Sequence, residues 1–218
     1  MIKMKSSSIK YNHIAIEGNI GSGKTTLAKK LSKDLESRLL LEEFAENPFL
    51  PKFYKSPEEN ALPLELFFMA ERYHQLKAST DKDLFMPLKI SDYIFVKSRL
   101  FAKNNLTSEE FNLFDRLFDI MFNSLNYPDL VIYLHASVDR LKSNIKKRGR
   151  VFEQDIKENY LNNIQETYLD YFKKQNNFPV LIIDVTNVDF KDNIKNYQTI
   201  KNSIFKKYEI GVNKLNLF

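Results

Sequence analysis

Residues 13–26, HIAIEGNIGSGKTT, decide the fold of this chain. The first five of them are mostly apolar and predict a short strand, and the residues after the loop predict a helix that ends near Glu36. Between the two, Gly18, Gly21 and Gly23 account for three of only 5 glycines in the chain. Glycine is needed where the backbone turns with a positive φ or approaches another group closely. The stretch therefore predicts a strand–loop–helix unit whose loop backbone lies against a ligand.

The spacing of Gly18, Gly23, Lys24 and Thr25 matches the phosphate-binding P-loop, Gly-x-x-x-x-Gly-Lys-Ser/Thr, in the strand-to-helix context that this motif requires. In such a loop the backbone N–H groups converge on phosphate oxygens, and the following helix N-terminus adds partial positive charge. Lys24 would neutralise the outer phosphates, and the Thr25 hydroxyl would bind Mg²⁺. The alternative, a tight turn that happens to contain glycine and lysine, is disfavoured by the flanking elements. We predict that a nucleotide is bound by nine consecutive residues: Gly18, Asn19, Ile20, Gly21, Ser22, Gly23, Lys24, Thr25 and Thr26.

Further apolar runs predict more strands along the chain, and helical periodicity separates them. These runs are residues 39–41, 88–91, 130–134 and 180–183. Apolar strands that alternate with helices are typical of a parallel sheet covered on both faces. Ser56–Glu59 predicts a capping box at the start of one long helix, with Pro57 as its first residue. We predict a three-layer α/β P-loop fold with about five parallel strands, as a single domain over residues 1–218 with a flexible tail at 1–11.

The composition excludes several classes of protein. Of 218 residues, 43% are hydrophobic and 28% are charged, which a disordered or low-complexity chain would not show. A net charge of +5 is a weak argument for nucleic-acid binding and suits a small anionic ligand. The absence of cysteine excludes disulfide frameworks and thiolate zinc sites, and no apolar run reaches the roughly 18 residues of a membrane span. Residues 1–10 lack the apolar centre of a signal peptide, so we expect a cytoplasmic protein that binds neither membrane nor nucleic acid.

A P-loop alone does not distinguish a GTPase, an ATPase, a nucleotide kinase and a nucleoside kinase. The guanine motif Asn-Lys-x-Asp is not found, since residues 213–216, NKLN, lack the acid. The P-loop together with Glu43, the stretch 54–72 and Arg148-Gly149-Arg150 resembles the deoxyribonucleoside kinase family, especially its bacterial deoxyadenosine/deoxyguanosine branch. The resemblance covers most of the chain, from His13 to Asp184. It implies transfer of a phosphoryl group from ATP to a deoxynucleoside 5′-hydroxyl, with Mg²⁺ as cofactor.

The resemblance implies roles for charged residues near the phosphates. Glu43, after the second predicted strand, matches the family's general base, which accepts the proton of the attacking hydroxyl. Glu42 is the less favoured of this acidic pair, and a solvated strand end is the alternative for both. Arg148 and Arg150 match the arginines of a lid, residues 147–154, that closes over the transferring phosphate. The alternative for the arginines is a basic helix terminus with a glycine cap.

The resemblance also places the base beside one long predicted helix. Glu65 and Arg72 are seven positions apart on that helix, ~10 Å along its axis, although periodicity alone would make them a solvent-facing pair. Glu65 replaces the glutamine that is commoner in the family. An ionised carboxylate only accepts hydrogen bonds, which suits guanine better than adenine. A raised pKa of Glu65, or a contact from Arg72 to the base, would restore adenine binding, so we predict a purine.

The remaining matched positions concern the sugar and the metal. Tyr54 and Glu153 match residues that contact the sugar 3′-hydroxyl, although a tyrosine in a Phe/Tyr-rich helix is more often part of the core. Asp92 matches an acid near Mg²⁺, but Tyr93 replaces the arginine that the family has next to it. We predict that Thr25 and Asp92 bind Mg²⁺, and what orients the general base is open.

Two other functions stay open at this point. A nucleoside monophosphate kinase such as thymidylate kinase shares the P-loop and an arginine-bearing lid, but it needs extra cations for an acceptor phosphate. A non-catalytic nucleotide- or RNA-binding module would use a lysine-rich surface, yet the chain has no basic–aromatic interleave of the kind that RNA-binding sheets use. The Phe-rich helix at residues 111–122 is expected in the core, and it is also a candidate contact with a second subunit, since the family forms homodimers.

Overall fold

The computed structural model describes residues 9–43, 47–79 and 88–215, so most of the predicted tail at 1–11 lies outside the described residues. Within these ranges the strands are β1 (His13–Gly18), β2 (Arg38–Leu40), β3 (Lys89–Ser91), β4 (Leu130–His135), β5 (Pro179–Asp184) and β6 (Gly211–Leu215). They form one sheet in the order β2-β3-β1-β4-β5-β6, and every neighbouring pair is parallel. The predicted parallel sheet is confirmed.

The sheet has one strand more than the sequence predicted. β6 pairs with the outer edge of β5, from Pro179 opposite Gly211 to Ile183 opposite Leu215. As an edge strand it is half-exposed, and it carries the polar residues Asn213 and Lys214. The sequence of β6 contains no continuous apolar run, because this strand pairs along one edge only and its side chains are partly exposed to water.

Helices cover both faces of the sheet. They are α1 (Lys24–Asp34), α2 (Leu50–Lys55), α3 (Pro57–Ala78), α4 (Lys97–Asn105), α5 (Ser108–Phe122), α6 (Val138–Arg148), α7 (Glu158–Lys174) and α8 (Ile194–Ser203), with a 3₁₀ turn at Val151–Glu153. Ile14 and Ile16 of β1 pack with Leu27 of α1 and Ile200 of α8 on one face. Ala15, between them, belongs to the opposite face, with residues of α3, α4, α5 and α7. This alternation confirms the three-layer fold.

The predicted capping box at Ser56 is wrong, although Pro57 does begin α3. Ser56 also ends α2, and its N–H donates to the carbonyl oxygen of Lys52 at 2.9 Å, so it is not available to the Glu59 carboxylate. A true capping box begins α5 instead. There the Thr107 N–H donates to Glu110 Oε2 at 2.9 Å, and the Glu110 N–H donates to Thr107 Oγ1 at 3.3 Å.

The strand order fixes where a site can form. β1 lies between β3 and β4 in the sheet. After β1 the chain forms β2 and β3 on one side of it, and then crosses over to form β4, β5 and β6 on the other side. Ligands of open α/β sheets bind at such a point, beyond the carboxyl ends of the strands. The loop after β1, Glu42 after β2 and Asp92 after β3 all lie at this edge. In the described ranges no helix is both long enough and apolar enough to cross a bilayer.

Candidate active site

The loop after β1 has a backbone that only glycine adopts readily. Gly21 has a φ of 84° and Gly23 a φ of 94°. A Cβ atom on Gly21 would lie 2.7 Å from the carbonyl oxygen of Leu141, and one on Gly23 would lie 2.7 Å from the ring of Phe190. The turn therefore depends on both glycines. Residues 21–26 line an open cavity of about 590 Å³, which we call the outer cavity.

Lys24, the first residue of α1, points back into this loop. Its Nζ donates to the carbonyl oxygens of Gly18 and Asn19, each at 2.9 Å. Burial and the charge of Lys97 lower the pKa of Lys24 to about 8, against the attraction of nearby carboxylates. A phosphate group in the outer cavity would favour the charged form of Lys24.

Thr25 and Asp92 meet next to the loop, as a magnesium site requires. Thr25 Oγ1 donates to Asp92 Oδ2 at 2.5 Å, and Asp92 Oδ1 accepts from the Glu42 N–H at 2.8 Å. One hydroxyl and one carboxylate fit Mg²⁺, which takes few protein ligands and completes its shell with phosphate oxygens and water. No group of three or more His, Cys, Asp or Glu side chains forms a metal site within the described residues. Phosphate oxygens of a bound nucleotide would supply further ligands to a cation at Thr25 and Asp92.

A second, narrower cavity of about 100 Å³ adjoins Lys24 and Thr25, and we call it the inner cavity. Glu42 lines it, and two cations hold this carboxylate. Arg72 Nε donates to Oε1 at 2.8 Å and Arg72 Nη2 lies 2.6 Å from the same oxygen, while Lys97 Nζ donates to Oε2 at 2.6 Å. Burial alone would raise the pKa of Glu42, but Lys97 and Arg72 outweigh it and hold this pKa far below the ordinary value. The carboxylate is therefore ionised and fixed in orientation.

The structure places Glu42 and Glu43 the other way round from the sequence-based expectation. Glu43 is exposed, and Glu42 lines the inner cavity. The reason is a contact that is distant in sequence, because Asp92 Oδ1 accepts the Glu42 N–H and so sets the backbone direction after β2. The side chain of Glu42 then reaches the cations of α3 and α4, and Glu43 faces outward.

Glu65 and Arg72 lie on one face of α3, as their spacing predicted, and that face is buried and lines the inner cavity. Glu65 Oε1 accepts from Asn105 Nδ2 at 2.7 Å. Burial raises the pKa of Glu65 to about 7, against the opposing effects of Arg72 and Asn105. Arg72 donates to Ser98 Oγ at 2.8 Å in addition to Glu42. The solvent-facing alternative for this pair is wrong.

The predicted lid is connected to the inner cavity by one buried carboxylate. α6 ends at Arg148 and is capped by Gly149, whose φ is 74°, and the chain then turns through the 3₁₀ segment. Arg148 and Arg150, which line both cavities, each form a salt bridge with Glu153, the latter at 2.9 Å. Tyr54 lines the inner cavity and stacks on Phe152, with ring centroids 6.0 Å apart. The sequence-predicted lid and sugar residues thus lie together.

A family model described as deoxynucleoside kinase matches residues 14–208. The chain belongs to the deoxynucleoside kinase family. This kinase is 36% identical over 186 residues to the deoxyguanosine kinase of Bacillus subtilis, covering 84% of this chain and 89% of the relative. It is 30% identical over 213 residues to the deoxyguanosine kinase of Lactobacillus acidophilus, covering 91% and 92%.

The fold of this kinase matches a solved family member as well. The structure of deoxyadenosine kinase from M. mycoides with bound dATP has a TM-score of 0.78 and 27% identity, covering 89% of this chain and 99% of that chain. The chain is thus an enzyme of the deoxynucleoside kinase class. Neither the monophosphate kinase nor the non-catalytic binding module is favoured.

Sequence reasoning missed several residues of this kinase's site, among them Lys97 and Asn105, which both lie on α4 and line the inner cavity. A signal for Lys97 was present. Tyr93 stands where the family has an arginine, so that cation is missing from this position. Tyr93 is fully buried, and its hydroxyl donates to Gln75 Oε1 at 2.6 Å. Lys97 follows four residues later, at the start of α4, and supplies the cation to Glu42. No comparable signal marked Asn105, because an asparagine at a helix end is common.

Proposed function

We propose that this kinase transfers the γ-phosphoryl group of ATP to the 5′-hydroxyl of a purine deoxynucleoside in nucleotide salvage, with Glu42 as the general base. The observation that supports it most is the Glu42 carboxylate, held by Arg72 and Lys97 in a cavity that also reaches Lys24 and Thr25. The names of the relatives, deoxyguanosine and deoxyadenosine kinases, support the purine.

In the proposed reaction the phosphates of ATP bind the loop at residues 18–26 and the deoxynucleoside occupies the inner cavity. The 5′-oxygen forms a bond to the γ-phosphorus while the bond to the β,γ-bridging oxygen breaks, and Glu42 accepts the hydroxyl proton. Lys24, Arg148 and Arg150 stabilise the charge on the phosphoryl oxygens. Mg²⁺ at Thr25 and Asp92, when bound, would neutralise phosphate charge.

The two cations on Glu42 matter for orientation more than for basicity. Its pKa is low, so the carboxylate is a weak base, but it is ionised throughout the physiological pH range. Phosphoryl transfer passes through a loose transition state, in which catalysis is mainly positioning and electrostatics. We therefore assign Arg72 and Lys97 as positioning residues for Glu42.

We further propose that Tyr54 and Glu153 contact the sugar 3′-hydroxyl. Both line the inner cavity, and Glu153 is only 4% exposed. Burial and the charge of Glu153 raise the pKa of the Tyr54 phenol, so it stays a neutral donor. A neutral phenol and a carboxylate together supply a donor and an acceptor, which is what a hydroxyl requires.

A substrate panel tests the reaction class. The purified kinase is offered ATP with deoxyguanosine, deoxyadenosine, deoxycytidine, thymidine and their 5′-monophosphates, and ADP release is followed. We expect turnover of the purine deoxynucleosides and none of the monophosphates. Turnover of monophosphates alone would overturn the proposed function.

The neighbouring glutamates form a matched pair for testing the base. Glu42→Gln keeps the shape but removes the charge, and we expect kcat to fall by about 10²- to 10⁴-fold. Glu43→Gln makes the same change on an exposed side chain and should leave kcat near that of the wild type. If Glu43→Gln lost activity and Glu42→Gln kept it, the assignment would be reversed.

We also propose a homodimer, with α5 as part of the contact. Phe114 and Phe118 on α5 are buried, but Leu113, Leu117 and Ile120 are 44%, 40% and 71% exposed. These three lie at helical spacing on one stripe, which a partner subunit would cover. Sedimentation of the wild type and of Ile120→Asp tests this, because the substitution should favour the monomer. The cytoplasmic location stays a prediction from composition.

A further inference from the structure

Glu65 lines the inner cavity and has one carboxylate oxygen without a hydrogen-bond partner among the described residues. The residue is 1% exposed, and its Oε1 accepts the hydrogen bond from Asn105. Oε2 is buried and accepts no hydrogen bond from the residues that the structure describes. A buried polar atom without a partner is costly, so a ligand that supplies the missing partner gains that free energy on binding. Oε2 is therefore suited to contact a polar edge of the substrate.

We infer that the protonation state of Glu65 selects between the two purines. This rests on the proposed function, since it requires a purine deoxynucleoside in the inner cavity. Asn105 donates to Oε1 whether Glu65 is ionised or protonated. Oε2 is therefore the oxygen that gains or loses the proton. The ionised Oε2 accepts from guanine, whose N1–H and 2-amino group both donate. The protonated Oε2 donates to adenine, whose N1 accepts.

The cavity favours a proton switch at this residue and not at its neighbours. The ionisable groups that face Glu65 are Arg72 on α3, Glu42 after β2, Lys97 on α4, Tyr54 on α2 and Tyr160 on α7. The pKa of Glu42 is held far below the ordinary value, while burial raises those of both tyrosines and the net effect on Arg72 is also upward. Lys97 is salt-bridged to Glu42. With its own pKa raised to about 7, Glu65 changes charge near neutrality, whereas Glu42 stays ionised and both tyrosines stay neutral.

The sign of the pH effect follows directly. Above its pKa, Glu65 is ionised and favours deoxyguanosine, and below it the protonated form favours deoxyadenosine. Titration of Lys24 or of other catalytic groups affects both substrates alike. The ratio of kcat/KM for deoxyguanosine to that for deoxyadenosine therefore isolates Glu65, because common effects cancel in it.

The test measures this ratio at about pH 6 and about pH 8, where ideal titration predicts a rise on the order of 100-fold for the wild type. Glu65→Gln should make the ratio independent of pH and lower it at the higher pH, because its amide N–H₂ replaces the free acceptor by a donor. Glu59→Gln, on the exposed first turn of the same helix, is the control and should behave as the wild type. Deoxyinosine, which keeps N1–H without the 2-amino group, should follow the pH direction of deoxyguanosine.

The outcomes separate the inference from the proposed function. Turnover of both purines with a ratio that does not change with pH would overturn the inference and leave the proposed function intact. The same holds if Glu65→Gln retains the pH slope of the wild type. If the wild type turns over neither purine, the proposed function fails, and the inference fails with it.

Discussion

The outer and inner cavities differ in how much of each comes from one segment of the chain. One side of the outer cavity is the continuous segment 21–26, with its glycines and backbone N–H groups, and α6, the lid and residues 185–192 line the rest. The inner cavity is formed by side chains from α2, α3, α4, α7, the end of β2 and the lid, which are far apart in sequence. The phosphate side is therefore fixed by local backbone conformation, whereas the acceptor side is fixed by packing and by ion pairs between elements.

This contrast predicts that the largest single loss comes from the cation that the loop segment itself supplies, Lys24. Lys24→Ala should lower kcat by about 10³-fold or more, because the phosphoryl oxygens lose their nearest cation. Thermal unfolding should change little, since the loop glycines keep the turn. Lys29→Ala removes an exposed lysine of the same helix and serves as the control. A Lys24→Ala variant with nearly full kcat would show that the loop does not bind the transferring phosphate.

A smaller loss is expected in the inner cavity, where Glu42 has two cations and can lose one. Lys97→Met should lower kcat by about 10- to 100-fold, with Arg72 still in place. Lys97 lowers the pKa of Glu42, so its removal raises that pKa and moves the acid limb of the kcat–pH profile to higher pH. Lys103→Met on the exposed side of α4 should leave both quantities unchanged. An unaltered acid limb in Lys97→Met would contradict the positioning role.

The smallest effect concerns only stability, at the starts of two helices near the inner cavity. Thr107→Ala breaks the capping box of α5 and should lower the free energy of unfolding by about 1 kcal/mol. Ser56→Ala, at the start of α3, should cost much less, because Ser56 makes no side-chain cap hydrogen bond. Urea denaturation measures both, and kcat should be unchanged in each. Equal losses at the two positions would mean that Ser56 caps α3 in solution.

The same contrast explains what the sequence could predict. The strand–loop–helix unit with Lys24 and Thr25 was predictable because its physics is local. The buried face shared by Glu65 and Arg72 followed from helical spacing together with the family resemblance. The choice between Glu42 and Glu43 was not predictable, since the two are chemically alike and a hydrogen bond from Glu42 to Asp92, fifty residues away, decides between them.

Elements without a local pattern were missed for related reasons. β6 is half-exposed at the sheet edge and lacks an apolar run. Tyr93 in place of an arginine indicated that a cation was missing, but nothing in the sequence distinguished Lys97 from the other lysines. The folded chain shows that Lys97 is 5% exposed and bonded to Glu42. Asn105 gains its role only when α4 packs against α3 and its amide meets Glu65.

Asp92 connects the outer and inner cavities and so limits how far one can change without the other. Its two oxygens bond to the Thr25 hydroxyl and to the Glu42 amide, so one side chain joins the first turn of α1 to the segment that carries the carboxylate. The first turn of α1 and the proposed general base Glu42 are thus held by the same side chain. A substitution at position 92 would therefore disturb both cavities at once, whereas a substitution on α3 or α4 leaves this link in place.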